Sequence, residues 1–340
     1  MKSFFAAAML VAGLSVLVPS VASAQACANR GELDDAYCDA NNDLVADVPA
    51  KTRDPSVIVF AYTPVEDPAV YENAFKPFTE YLGKCTGKRV VYYPVQSNSA
   101  EIEAMRSGRL TVAGFSTGPV GFAVNMAGAV PFAAKGTAKG VEGYNLIVVV
   151  KKSSPYQKLS DLKGKKLAHT APSSNSGNLA PKALFPEQGL KPGDDYQIVY
   201  SGGHDKSVLG VESGDYDAGA VASDVFERMG ARGTIKTDDF RVIYRSETFP
   251  SSGFAYAHDL KPELAEKLKT CFYDFRFPPA MQKDFEGDDR FFPITYQKDW
   301  AIIRKVAHDS GTPYNKAAYE KEAAREAAAA KKKAEQPKKP

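Results

Sequence analysis

Residues 170–177 read Thr-Ala-Pro-Ser-Ser-Asn-Ser-Gly, a hydroxyl-rich turn between a strand pattern and a helical pattern, and this is the most informative stretch of the chain. A short strand pattern, Lys166–Ala168, precedes it, and a helical pattern, Asn178–Leu184, follows it. The first N–H groups of a helix have no partner within the helix, and the macrodipole leaves them partly positive. Small hydroxyl residues at that point add donors and let an anion come close. We therefore expect residues 174–176 to form an oxyanion cradle, with an ordinary helix cap as the alternative.

Strand patterns alternate with helical patterns on both sides of this stretch. A strand that alternates with a helix indicates an α/β protein with a mainly parallel sheet. The chain has 340 residues, which is enough for two lobes. We expect a first lobe from residues 55–150 plus 246–310, a second lobe from residues 151–245, and two crossings between them.

Polar residues follow four of the predicted strands. They are Ser116 and Thr117, the cradle, His204, and Ser223 with Asp224. Ligands of open α/β sheets bind outside the carboxyl ends of the strands. Four such coincidences favour one shared ligand site over four separate helix caps.

The two ends of the chain are of different character. Residues 1–24 have a positive start, an apolar run and a small-x-small ending, as in a secretory signal peptide. Residues 24–26 make a poor lipid-attachment box before Cys27, so we expect a soluble exported protein. Residues 25–54 form a polar N-terminal extension. Residues 311–340 are rich in Ala, Lys and Glu and predict a frayed helix that runs into a disordered, solvated basic tail.

Charge and cysteine content narrow the function classes. The formal net charge of +2 gives no drive toward nucleic acid. Four cysteines in an exported chain suggest disulfides. We expect Cys27 with Cys38 and Cys85 with Cys271, and free buried thiols are the alternative. No spacing typical of a zinc site is present.

A calcium loop is a hypothesis for the N-terminal extension. Oxygen-bearing side chains occur at Asp39, Asn41, Asp43 and Asp47, with the Val45 carbonyl between them. This pattern resembles the calcium loops of thrombospondin type 3 and dockerin modules, without their turn glycine. Calcium prefers six to eight oxygen ligands. A solvated acidic loop is the alternative.

Over residues 55–310 the chain resembles the periplasmic phosphate/phosphite/phosphonate-binding proteins of ABC importers. The resemblance depends on four segments in order, namely residues 62–68, 172–177, 201–205 and 216–221. It implies a two-lobed, type II periplasmic binding protein with a two-crossing hinge. It also implies a small oxyanion ligand, a membrane ABC permease as partner and a monomeric, non-enzymatic receptor without a cofactor.

The same resemblance assigns the site residues. It implies that Ser174, Asn175, Ser176 and His204 bind the oxyanion. It also implies that Asp224 occupies the place of an acid that, in some members, contacts the amino group of an aminoalkylphosphonate. The first-lobe loops supply Tyr62, Asn98, Phe115, Ser116 and Thr117. Ser251 and Ser252 replace the second acid of members specific for aminoethylphosphonate. We therefore expect phosphate, phosphite or a small alkylphosphonate.

Two other functions fit parts of the sequence. Residues 114–118 read Gly-Phe-Ser-Thr-Gly, which matches the nucleophile elbow of serine hydrolases. Ser116 would be the nucleophile, with His204 or His258 as its base. A ligand sensor for a two-component system would use the same fold as the importer receptor.

Overall fold

The computed structural model describes residue 27, residues 29–141 and residues 143–335. The predicted signal peptide lies outside these residues. Within them, no helix combines the length and apolar character that a membrane span needs. Both expected disulfides, Cys27–Cys38 and Cys85–Cys271, are formed.

Strands and helices alternate through most of the described chain. The strands are β1 (Val57–Tyr62), β2 (Arg89–Tyr92), β3 (Val112–Phe115), β4 (Ala129–Thr137), β5 (Gly140–Val141), β6 (Gly143–Lys151), β7 (Lys166–His169), β8 (Gln197–Tyr200), β9 (Ala218–Ala222), β10 (Phe240–Pro250), β11 (Gly253–Ala257) and β12 (Arg290–Pro293). The helices are α1 (Pro68–Thr86), α2 (Asn98–Arg106), α3 (Pro119–Ala127), α4 (Ala180–Leu184), α5 (His204–Ser213), α6 (Ser223–Ala231), α7 (Pro262–Asp274), α8 (Pro279–Asp284), α9 (Tyr296–Asp299), α10 (Ala301–Asp309) and α11 (Lys316–Glu335). A π-helical turn, Asn175–Leu179, leads into α4.

The strands form two sheets, one for each lobe. The first has the order β12-β4-β11-β3-β1-β2, with β5 paired to β4. The second has the order β10-β6-β9-β7-β8. In the first sheet β1 runs parallel to β2 and β3, and in the second β7 runs parallel to β8 and β9. The other pairings are antiparallel, so each sheet is mixed rather than wholly parallel.

The chain crosses between the two lobes at other residues than the sequence predicted. Strand β6 pairs with β9 and β10, so it belongs to the second sheet and not to the end of the first lobe. Strand β10 continues to Pro250, and β11 returns to the first sheet from Gly253. Residue 150 and residue 245 are therefore wrong as crossing points. The error arises because an apolar strand pattern does not say which sheet the strand joins.

Helix α1 illustrates how the sequence builds the first lobe. Asp67 caps its N-terminus by accepting the N–H of Ala69, and Pro68 stands at a position where its missing N–H costs nothing. Its buried side chains include Tyr71, Phe75 and Phe78, spaced so that one helical face meets the sheet. The Cys85–Cys271 disulfide then joins α1 to α7.

The C-terminal segment differs from its prediction. Residues 316–335 form one helix, α11, and Tyr319, Glu322 and Glu326 on it are buried. The predicted helix is therefore present, but its buried residues do not fit the expected solvation. Composition predicted a frayed helix, but it does not reveal that one face of the helix packs on the body of the protein.

Candidate ligand site between the lobes

A small cavity of about 40 Å³ lies where the two lobes meet. Loops from both sheets enclose it, and most of its lining side chains carry a hydroxyl, amide or charged group. The lining residues are Tyr62, Val65, Ser116, Thr117, Tyr144, Ser174, Asn175, His204, Ala222, Asp224, Val225, Arg228, Ser251 and Ser252.

Four helix N-termini converge on this cavity. Ser116 and Thr117 lead into α3, and Ser174 is the N-cap of the π-helical turn that continues as α4. His204 is the first residue of α5, and Ala222 is the N-cap of α6. A helix N-terminus carries partial positive charge, and its first N–H groups have no partner within the helix. The arrangement suits an anion held largely by neutral donors.

The cradle combines a cap with a binding surface. The Ser174 Oγ accepts the N–H of Gly177 at 3.1 Å, so the helix-cap interpretation is also correct. The hydroxyl hydrogen of Ser174 stays available as a donor. Asn175 Nδ2 donates to the hydroxyl of Tyr144 at 3.1 Å, and Asn175 Oδ1 is buried without a hydrogen-bond partner. This side of the cavity therefore has unused hydrogen-bonding capacity.

His204 has a defined tautomer. Its Nδ1 accepts the backbone N–H of Ala222 at 3.1 Å, which leaves the imidazole proton on Nε2. Burial lowers the pKa of His204 to about 4, and the charge of Asp224 offsets only part of that effect. The side chain is thus a neutral N–H donor at the cavity wall.

Asp224 is the acidic group of the site. Its Oδ2 accepts a hydrogen bond from Arg228 Nη1 at 3.0 Å, while its Oδ1 is buried without a partner. Burial raises the pKa of Asp224, but the charge and hydrogen bond of Arg228 outweigh burial, and the pKa is lowered overall. An ionised carboxylate with one free oxygen therefore borders a cavity lined mainly by hydroxyl and N–H groups.

A buried ion cluster connects the lobes behind Asp224. Glu66, between β1 and α1, accepts hydrogen bonds from Arg228 Nε at 3.2 Å and Nη2 at 3.1 Å. Arg232 donates to the second oxygen of Glu66. The backbone N–H of His204 adds a further inter-lobe bond to the Val65 carbonyl at 3.1 Å. These contacts hold the two lobes together around the cavity, and Arg228 directs three of its donors to carboxylates.

The first-lobe and crossing residues form the opposite wall. The Tyr62 and Ser252 hydroxyls share a hydrogen bond of 2.9 Å. Thr117 Oγ1 donates to the carbonyl of Pro250 at 2.9 Å, and Ser251 Oγ is buried without a partner. The wall is therefore anchored to the segment at which the chain crosses between the lobes.

The structure gathers seven of the ten predicted ligand-binding residues around this cavity, namely Tyr62, Ser116, Thr117, Ser174, Asn175, His204 and Asp224. Ser176 and Phe115 are buried but do not line the cavity. Asn98 does not line it either, and its Nδ2 donates to Ser173 Oγ at 3.0 Å. Ligand binding by any of them stays a prediction.

Arg228 and Tyr144 are among the cavity residues that the sequence did not predict. Arg228 stands four residues after Asp224 on α6, a spacing typical of a helical ion pair, so a signal was present. Tyr144 comes from β6, which the sequence assigned to the other lobe. No local pattern around Tyr144 predicts that it reaches the cradle.

The proposed calcium ligands lie in the N-terminal extension, far in sequence from this cavity, and make hydrogen bonds within the extension. Asp39 Oδ1 and Oδ2 accept the backbone N–H groups of Asp43 and Leu44, and Asp47 accepts from Ala40 N–H and Asn41 Nδ2. In the described part of the chain, no three His, Cys, Asp or Glu residues gather as a metal site. Calcium binding there stays a prediction, which melting temperatures with calcium and with a chelator would test.

Comparison with known proteins identifies the family. Residues 60–300 match the sequence profile of the periplasmic phosphonate substrate-binding proteins of ABC transporters. The chain is 30% identical over 266 residues to the phosphate-import protein PhnD of Mycolicibacterium smegmatis, covering 73% of this chain and 81% of the relative.

Two crystal structures share the fold. PhnD1 of Prochlorococcus marinus, solved with methylphosphonate, has a TM-score of 0.68 and 20% identity, covering 76% of this chain and 99% of its own. The binding protein of a phosphonate ABC transporter of Pseudomonas aeruginosa has a TM-score of 0.69 and 21% identity, covering 83% and 99%. These likenesses confirm the two-lobed type II fold.

The family also excludes the serine hydrolase alternative. Ser116 Oγ donates to Asn98 Oδ1 at 3.4 Å, while Nδ1 of His204 accepts a backbone N–H. The hydrolase hypothesis is wrong, because the matching family binds solutes in the periplasm and delivers them to an importer. The chain belongs to the phosphonate family of periplasmic substrate-binding proteins that serve ABC transporters.

Proposed function

We propose that this receptor captures a small phosphorus oxyanion that carries an acidic proton, such as phosphate, phosphite or methylphosphonate. The observation that carries the proposal is the free, ionised Oδ1 of Asp224 in a cavity of hydrogen-bond donors. An anion that has no proton to donate would face this carboxylate with like charge. An anion with a P–OH group can instead donate a hydrogen bond to Asp224 Oδ1.

The donors of the cavity supply the other half of recognition. The Ser174 hydroxyl, the neutral Nε2–H of His204 and the helix N-termini are all suited to oxyanion oxygens. Ser251 Oγ also lacks a partner and lies at the lining, and the free acceptor Asn175 Oδ1 is a second group that a ligand P–OH can satisfy. Exclusion of water on closure strengthens each of these bonds.

The size of the cavity favours a compact ligand. Its volume is about 40 Å³, whereas pockets for drug-sized ligands are on the order of 300–1,000 Å³. An aminoalkylphosphonate is the second candidate, because its ammonium group would also satisfy Asp224 Oδ1. A ligand with an extended aminoalkyl chain fits this volume less well than methylphosphonate does.

The substitution Asp224→Asn tests the proposal. The amide keeps the size of the side chain, removes its charge and offers an N–H₂ donor. We expect the variant to lose affinity for phosphate and phosphite and to gain affinity for sulfate, measured by isothermal titration calorimetry. Glu227→Gln on the exposed face of the same helix is the matched control. Equal sulfate affinity in wild type and Asp224→Asn would contradict the role of Asp224.

We further propose that the receptor acts as a monomer, since the two lobes of one chain are sufficient to line the cavity. Light scattering coupled to size-exclusion chromatography tests this. A dimer mass at micromolar concentration would contradict it.

A further inference from the structure

Helix α11 lies beyond residues 60–300, the part of the chain that matches the family profile. It packs on the first lobe, where the Tyr319 ring stands 5.6 Å from the Phe122 ring of α3. The Tyr319 hydroxyl donates to Glu103 Oε1 of α2 at 2.9 Å. The family's binding function does not account for these contacts.

The same helix reaches the second lobe. Glu322 is buried on α11 and lies close enough to Lys182 of α4 for their charges to interact. Burial lowers the pKa of Lys182, and the negative charge of Glu322 partly offsets that effect. The helix therefore lies across the junction of the two lobes.

Glu326 joins the lobes directly. Its side chain is 9% exposed, and each of its carboxylate oxygens accepts one hydrogen bond. Oε2 accepts the backbone N–H of Ser99 in the first turn of α2, at 3.0 Å. Oε1 accepts the hydroxyl of Ser173 in the second lobe, at 2.9 Å. An anion at a helix N-terminus is electrostatically favourable, and the bond to Ser99 satisfies a donor that α2 leaves unpaired.

A continuous set of hydrogen bonds leads from Glu326 to the cavity. Ser173 immediately precedes the cradle residue Ser174, and Ser173 Oγ also accepts Asn98 Nδ2 at 3.0 Å. Asn98 Oδ1 in turn accepts the hydroxyls of Thr63 at 3.0 Å and Ser116 at 3.4 Å. Ser116 lines the cavity. Glu326 thus fixes Ser173, which orients one end of the cradle against the first lobe.

We propose that Glu326 is a positioning residue for ligand capture, and that α11 is a strap whose carboxylate favours the closed arrangement of the lobes. If the lobes separate, Ser99 and Ser173 move apart, and one carboxylate no longer serves both. The inference rests on lobe closure by this receptor and not on which oxyanion it binds.

Two variants and one control test the strap. Glu326→Ala removes both acceptors, and Glu326→Gln keeps the size while leaving one acceptor oxygen. Glu320→Gln, on the exposed face of the same helix, is the control. Spin labels on the two lobes report their separation by pulsed electron paramagnetic resonance, with and without phosphate, phosphite or methylphosphonate. Calorimetry measures the affinity of the same three ions, and melting without ligand reports folding.

We expect Glu326→Ala to weaken binding about tenfold, since a hydrogen bond to a charged group is worth roughly that factor or more. The inter-lobe distance should shift toward open forms in the absence of ligand, with a smaller shift for Glu326→Gln and none for Glu320→Gln. An unchanged distance distribution in a folded Glu326→Ala protein would overturn the inference. If none of the three ions binds the wild type, the ligand proposal fails, but the distance measurement still decides the role of Glu326.

Discussion

Gly118 of the first lobe packs directly against the backbone of Asn175 in the second. A methyl group added to Gly118 would stand 2.8 Å from the Asn175 nitrogen and would overlap the carbonyl oxygen of Ser173. The backbone of Gly118 is not in a region that demands glycine, with φ of −67°. The absence of a side chain here therefore serves the contact between lobes rather than a turn.

Gly118→Ala should keep the lobes from closing. The added methyl group meets backbone atoms that cannot move aside, so we expect at least a tenfold loss of oxyanion affinity with little change in melting temperature without ligand. Calorimetry and thermal melting measure the two quantities. Gly219→Ala is the control, because its added methyl group would have its nearest neighbour at an ordinary 3.4 Å. Wild-type oxyanion affinity in Gly118→Ala would contradict the close contact between Gly118 and the Asn175 backbone in the closed form.

The pH dependence of stability should report His204. Burial lowers its pKa from 6.5 to about 4 in the folded protein. At this group the unfolded chain therefore binds more protons between those values, and the His204 contribution to the free energy of unfolding should fall as pH drops from 6.5 toward 4. His169, whose pKa burial also lowers to about 4, adds to this loss. Glu286, whose pKa burial raises to about 8, contributes in the opposite direction.

Urea denaturation at several pH values measures the effect. His204→Gln keeps an acceptor for the Ala222 N–H and should remove the His204 part of the pH dependence, leaving the parts due to other shifted groups such as His169 and His258. His308→Gln at an exposed position should leave the wild-type slope. A His204 imidazole that titrates near pH 6.5 by NMR would contradict the assigned environment.

The two disulfides should differ in their contributions to stability. The Cys85–Cys271 bond spans 186 residues, including the whole second lobe, whereas Cys27–Cys38 spans 11. Loop-closure entropy predicts a larger loss for the longer loop, with removal of a native disulfide costing about 2–5 kcal/mol. We expect the Cys85→Ala, Cys271→Ala pair to lower the free energy of unfolding more than the Cys27→Ala, Cys38→Ala pair. Urea denaturation of the two double variants measures this, and the reverse order would contradict it.

Short local patterns in the sequence predict much of the fold. The strand patterns that became β3, β8 and β9 each lead into polar residues, and the rule that ligands bind at strand ends brought Ser116, His204 and Asp224 to one cavity. Local chemistry was sufficient because ligands of such sheets bind outside the carboxyl ends of the strands, and the strand ends of the two sheets contribute to the same cavity.

Long-range packing accounts for most of what the sequence did not reveal. Strand β6 is apolar along most of its length, and nothing in that pattern tells which sheet it joins, so Tyr144 could not be placed. On α11, Tyr319, Glu322 and Glu326 recur at intervals of three and four and mark one face of the helix. That signal was hidden because two of the three are charged residues, which composition assigns to solvent.

Titration calorimetry of the wild-type protein with phosphate, phosphite, methylphosphonate and sulfate, at one pH and one ionic strength, tests the central claim most directly. Because Asp224 Oδ1 needs a donor from the ligand, we predict that at least one of the three phosphorus oxyanions binds at least about 100-fold more tightly than sulfate, the cost expected for like charges brought together. Sulfate binding as tight as that of the best phosphorus oxyanion, or no binding by any of the three, would contradict the account.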